Sequence, residues 1–171
     1  MADVRETVQI DGGIVFGHDG STCAQEALSW AGRLAAKADV DLHVVRAWAI
    51  MTAPQPSTWA PGYVPPLTDY EKAVLDELTA HVAAAGLDPK VRVTCHVVHR
   101  SPAEGLLSAA EGASLLVVGA RGRGGFRGLL LGSVSDQLVH HAPCPVTVVR
   151  SGATGRDIEA EGATQSAGAV P

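Results

Sequence analysis

The sequence predicts an open α/β fold: five parallel strands in the order 3-2-1-4-5, with helices on both faces. Three observations support it. Strand-like and helix-like patterns alternate from residue 10 to residue 150, the arrangement that gives a parallel sheet with helical crossovers. Ser114 to Val118 is apolar without alternation, as in a strand buried on both faces. The two loops richest in glycine follow the first and fourth strands. If those strands are neighbours, strand order reverses between them, and that crevice is where open α/β sheets bind ligands.

The elements follow in order. Ile10 to Phe16 is short and β-branched and ends in the turn-rich Gly17-His18-Asp19-Gly20-Ser21, so a strand feeds a polar loop. From Thr22, helical spacing puts Ala24, Ala27, Leu28, Ala31, Leu34 and Ala35 on one face, and Thr22 with Gln25 has the spacing of a capping box. Leu42 to Ala47 is the second strand. Pro54, Pro56, Pro61, Pro65 and Pro66 then make residues 50–67 a loop, because proline fixes φ and removes a backbone donor. Helical spacing returns from Thr68 to Ala85, with Gly86 as its stop. Val91 to Val98 alternates like a half-wet edge strand. Ser101-Pro102 opens a short helix ending near Gly112. After the buried fourth strand and the loop from Gly119 to Leu131 come a helix from Ser133 to about His141 and a last strand, Val146 to Val149.

A length of 171 residues suits one domain, 10–150, preceded by an N-terminal extension, 1–9, and followed by a flexible tail, 151–171. With 46% hydrophobic and 18% charged residues, there is side-chain volume enough for a core. The net charge is −5, and the tail adds Arg156 against Asp157, Glu159 and Glu161, so no basic footprint for nucleic acid exists. Cys23, Cys95 and Cys144 show neither a CxxC nor a zinc spacing, as expected in a reducing compartment. No apolar run reaches the roughly 18–20 residues of a membrane span. A soluble, cytoplasmic protein is expected.

The strongest chemical feature is Gly119-x2-Gly122-x9-Gly132-Ser133. Gly119 and Gly122 let backbone approach a ligand closely, while amides at Gly132 to Val134 stand at the positive end of a helix. Those amides and the Ser133 hydroxyl suit a phosphate chain, and Arg121, Arg123 and Arg127 add charge around it. On local sequence, Ser133-Val134-Ser135-Asp136 reads equally well as a plain capping box. Neither GxxxxGK[ST] nor a GxGxxG after the first strand is present. Asp19, just past the first strand, is placed to accept from ribose hydroxyls, to hold a metal near phosphates, or only to shape its turn. His96 and His99, three apart on a strand, face opposite ways, which disfavours a shared metal. His140 and His141 suit the end of the last helix.

Ile14 to Ser21, Leu116 to Gly125, and Gly132-Ser133 followed by Ala142 to Val149 together resemble the universal stress protein family over about residues 10–150, including its ATP-binding glycine signature. The resemblance implies a Rossmann-like fold and an ATP site. Asp19 would contact the ribose or a Mg2+ ion beside Gly17, and Ala47 would lie against the adenine. Val118 and Gly119 would line base and ribose, Gly122 would form the ribose-phosphate turn, and Gly132, Ser133, Val134 and Ser135 would hold the phosphates. Arg121, Arg123 and Gly124 belong to the same loop. It also implies a homodimer through Val146 to Val149. His18, where the family usually has an apolar residue, and Ser101, where a glycine often stands, depart from the pattern.

The expected function is that of an ATP-binding regulator in stress response, acting through a protein partner or its own oligomeric form. Two other classes stay open: a slow Mg-dependent ATPase using Asp19, and a dimeric scaffold that uses no nucleotide. No Ser, His and Asp group as a triad, and no general base presents itself.

Overall fold

The structure, a computed structural model, describes residues 4–123 and 130–152. Its elements run β1 (Ile14–Gly17), α1 (Thr22–Ala38), β2 (Leu42–Trp48), α2 (Leu67–Ala84), β3 (Val93–His99), α3 (Pro102–Ala109), β4 (Leu115–Gly119), α4 (Ser133–His141) and β5 (Val146–Val149). All strand pairs are parallel, and the order is β3-β2-β1-β4-β5, as expected. In register, Phe16 lies opposite Val44 on one side and Val117 on the other.

Strand alternation divides the core into two layers. Phe16, Leu28, Val44, Trp48, Val74 and Leu78 pack between the sheet and α1 and α2; Val15, Val45, Val98, Leu106, Leu116 and Leu138 pack between it and α3 and α4. All are buried, and full burial of each such side chain contributes about 1.5–3 kcal/mol before entropy is counted. Val4 packs on the first layer and Val8 on the second, while the Arg5 carbonyl accepts a hydrogen bond from the His99 amide at 2.8 Å.

Several boundaries differ from the sequence reading for local reasons. β1 starts at Ile14 and not Ile10, because Gly12 and Gly13 adopt φ of +77° and +69°, which no strand tolerates. The cap of α1 is Ser21, whose Oγ accepts from the Ala24 amide at 3.1 Å. The expected Thr22–Gln25 capping box does not form: the Gln25 amide turns away and donates to the His81 carbonyl at 2.8 Å. α2 begins one residue early at Leu67, and Gly86 takes φ +58° just beyond its end. α3 stops at Ala109, short of Gly112, and β3 runs Val93–His99, two residues later at its start. Residues 50–66 form no regular element beyond a single Ala60–Tyr63 bridge. No helix among the described residues is long and apolar enough to cross a membrane.

Candidate functional site

β1 and β4 are the neighbours at which strand order reverses, and at their C-terminal ends the sheet opens into a cavity of about 550 Å³. Segments far apart in sequence meet there. Gly17, Asp19, Ala47, Val118, Gly119, Arg121, Gly122, Arg123, Gly132, Ser133, Val134 and Ser135 all line this one cavity. Gly124, like Arg127, lies outside the described residues.

One end is apolar. Ala47, Val118, Pro102, Leu106 and Val134 supply its walls, and the absence of a side chain at Gly17 is required, because a Cβ there would sit 2.7 Å from Leu106 Cδ1. A flat heteroaromatic ring suits such a surface.

The other end is built from backbone and charge, and Asp19 is its knot. Its Oδ1 accepts from the Ser21 amide and its Oδ2 from the Arg123 amide, both at 2.9 Å, so one carboxylate shapes its own turn and ties the β1 loop to the β4 loop. Two glycines make room for this tie. A Cβ on Gly122 would lie 2.5 Å from Asp19 Oδ2, and Gly20, at φ +81°, sits under the Arg123 guanidinium. Asp19 is the sole carboxylate among the described lining residues.

α4 opens onto the same end. Its N-cap is Gly132, in extended conformation and without a side-chain cap, so the capping-box alternative for Ser133 to Asp136 does not form. The Gly132 amide donates to the Ala120 carbonyl at 2.8 Å, whereas the first-turn amides of Ser133, Val134 and Ser135 have no intrahelical acceptor. Ser133 is exposed. Ser135 is buried, and its hydroxyl donates to the Gly119 carbonyl at 2.8 Å, so it holds α4 to the end of β4 and leaves its amide, not its oxygen, for a ligand.

Sequence reasoning missed part of the wall. Thr52, from the proline-rich loop, lines the cavity, its hydroxyl held by the Ala49 backbone. His18 and Arg46 line it as well, and both are buried on the α1/α2 side of the sheet. His18 Nδ1 accepts from the Gly20 amide at 2.9 Å, its Nε2 meets Gln25 Oε1 at 3.2 Å, and its ring lies 4.8 Å from that of His81. Burial above all, with the nearby His81, lowers its pKa to about 4 against the pull of Gln25, so the ring is neutral at pH 7. Arg46 forms an ion pair with Glu77 of α2. The signal for both was present: each continues the inward phase of its strand, Ile14-Phe16-His18 and Val44-Arg46-Trp48.

Comparison with known proteins adds relatives to this geometry. The family model described as "Universal stress protein family" matches residues 13–150. Universal stress protein Rv2623 of Mycobacterium tuberculosis is 35% identical over 143 residues, covering 82% of this chain and 46% of the relative. The chain thus spans about half the length of the curated relatives it matches. Among solved structures, a universal stress protein in complex with cAMP aligns at 26% identity with a TM-score of 0.56, covering 86% of this chain and 98% of that one. A protein of the same family from Burkholderia pseudomallei aligns at 31% identity and a TM-score of 0.51, covering 80% and 95%.

Proposed function

This chain belongs to the universal stress protein family, and from that premise we propose that it binds ATP in the cavity at the ends of β1 and β4 and acts as a nucleotide-dependent regulator. The observation behind the reading is convergence. Twelve side chains and backbone positions chosen from the sequence line one cavity with an apolar end and an end of free amides and arginines. The relative in complex with cAMP supports an adenine ligand.

In this reading the adenine lies against Ala47 and Val118, and the ribose sits beside Gly17 and Asp19. The phosphates meet the amides of Ser133, Val134 and Ser135, with Arg121 and Arg123 adding charge. Three amides and two guanidiniums favour a chain of phosphates over a single one. Mg2+ usually takes one or two protein carboxylates and completes its shell with phosphate oxygens and water. Asp19 fits as that single carboxylate, since each oxygen has accepted only one backbone N–H. The cation would neutralise phosphate charge.

Binding without fast turnover follows from the same residues. His18 is the only imidazole among the described lining residues, and both of its nitrogens are engaged, so it is not placed as a base for an attacking water. The output is therefore conformational, toward a cytoplasmic protein partner or a second copy. A homodimer through β5 belongs to this reading, as β5 is an edge strand with Val146, Thr147 and Val148 half-buried. Edge strands offer unpaired amides to a copy of themselves.

A thermal melt with ATP, AMP and cAMP tests it. Ligand at one hundred times its Kd adds about 2.7 kcal/mol, and Gly122→Val should remove that shift while the protein stays folded. An undiminished shift in Gly122→Val, or none in the wild type once co-purified nucleotide has been removed and assayed, would sink the proposal.

A further inference from the structure

Two histidines that are distant in sequence meet on the sheet away from the nucleotide cavity. His43 of β2 and His96 of β3 share the face that holds Val45 and Val98, because in register Val45 lies opposite His96 and His43 is two residues before Val45. His43 Nδ1 and His96 Nε2 are 3.2 Å apart, with ring centroids 5.4 Å apart and planes inclined by 33°. Both rings are half-buried, and neither lines the cavity.

We propose that His43 and His96 form a binding site for one divalent transition cation of the zinc, nickel and copper class. Imidazole nitrogens bind Zn2+ at about 2.0–2.1 Å, so two nitrogens on one ion at angles between 90° and tetrahedral stand about 2.9–3.4 Å apart. The observed separation falls inside that bite. Without an ion, the same distance requires a proton between the two nitrogens. With an ion, each ring keeps its proton on the outer nitrogen, His43 Nε2 and His96 Nδ1, and both inner lone pairs face the metal. Neutral rings make this a change of tautomer with no proton released.

A metal binds the neutral imidazole, and both rings are half-buried. The Asp41 carboxylate acts on His43 and the Arg5 guanidinium on His96, two charges of opposite sign. The β2–β3 ladder fixes the two backbones relative to each other, so little order must be created on binding. Among the described residues no group of three His, Cys, Asp or Glu side chains gathers around an ion position, so the remaining positions are water's. The order of affinity should place Cu2+ above Ni2+ and Zn2+. His96 and His99 do face apart: His99 packs on Trp48 with ring centroids 4.6 Å apart.

The test is calorimetric titration of the tag-free, chelator-treated full chain with Zn2+ at pH 7. The expected result is one equivalent in the wild type and at least a tenfold loss of affinity in both His43→Gln and His96→Gln, with His141→Gln unchanged. A second measurement needs no variant: in NMR spectra of the wild type, the ring Cε1–H signals of His43 and His96 should shift together with Zn2+. The proposal is overturned by no binding at millimolar Zn2+, by affinity retained in either variant, or by shifts confined to His140 and His141.

Discussion

Gly122→Ala is the sharpest perturbation the site offers. The φ of Gly122 lies outside the left-handed region, so its backbone accepts a side chain, and the obstacle is the carboxylate 2.5 Å from the new Cβ. An ordinary contact needs about 3.4 Å or more, so Asp19 must swing away by nearly an ångström and give up its bond to the Arg123 amide. A hydrogen bond to a charged group contributes about 1.5–3 kcal/mol, and the lower end applies at this exposed position. Replacing glycine returns about 0.4–1 kcal/mol by restricting the unfolded chain. The net loss, about 0.5–1 kcal/mol, lowers Tm by about 1–4 °C in a chain of this size. The effect on ATP is larger relative to its baseline: an untied loop costs about 1.4 kcal/mol of affinity, a factor of ten. Differential scanning calorimetry and a fluorescent-nucleotide titration measure the two quantities. In an Asp19→Ala background no carboxylate is left to displace, so the second substitution should no longer destabilise and should return only the gain of about 0.4–1 kcal/mol from the restricted unfolded chain. Full additivity, or wild-type affinity in Gly122→Ala, refutes the tie between the loops. Gly132→Ala is the stability control, since its Cβ would meet nothing closer than 3.6 Å.

Three further outcomes are expected. Because the folded pKa of His18 is lowered to about 4 from 6.5, the unfolded chain binds more protons between those values; the stabilisation is full above pH 6.5 and lost as pH falls toward 4, on the order of 3 kcal/mol. His96 adds in the same direction, and Tm measured from pH 7 to pH 4 should fall less steeply in His18→Gln than in the wild type; parallel curves contradict this. Glu77→Gln leaves the Arg46 charge buried without its counter-ion, and because Glu77 is one-third exposed the cost is about 2–3 kcal/mol, at or below the fully buried range; a urea midpoint within error of the wild type rules it out. Ser135→Ala strands the Gly119 carbonyl, costs about 1–2 kcal/mol, and should weaken ATP binding by misplacing the first turn of α4; unchanged stability and affinity would assign that hydroxyl no role.

The sheet was legible because its signals are local and repeated. An unbroken apolar run at Leu116-Val117-Val118 has no solvent-facing phase, and alternation through Leu42 to Ala47 leaves one residue of each pair for each layer. The misplaced ends were decided by contacts that no short window contains. Ser21 and Thr22 are both caps by residue type, with Ser the stronger; Ser21 takes the position, and Gln25, the partner Thr22 needs, bonds instead to His18 and the His81 carbonyl. Ile10 is buried like a strand residue, yet Gly12 and Gly13 turn the chain before β1 begins.

For the site, legibility followed the type of atom. Backbone amides and missing Cβ atoms leave a trace in composition, and the glycines with their spacing, read together with the strand order and the family resemblance, pointed to the crevice where the cavity lies. Functions resting on pairs of side chains leave no such trace, because the partners come from different strands and helices: Arg46 with Glu77, His43 with His96. Phase supplies half of the missing knowledge. His18 extends Ile14 and Phe16, and Arg46 sits between Val44 and Trp48, so both must point into the α1/α2 layer, where an unpaired charge is prohibitive. A buried arginine there demands a carboxylate from the covering helix, and α2 offers Glu77 one turn before His81. The register of β2 against β3 supplies the other half, and it is the quantity that a single sequence withholds: a slip of one residue between those strands would carry His96 away from His43 to the opposite face.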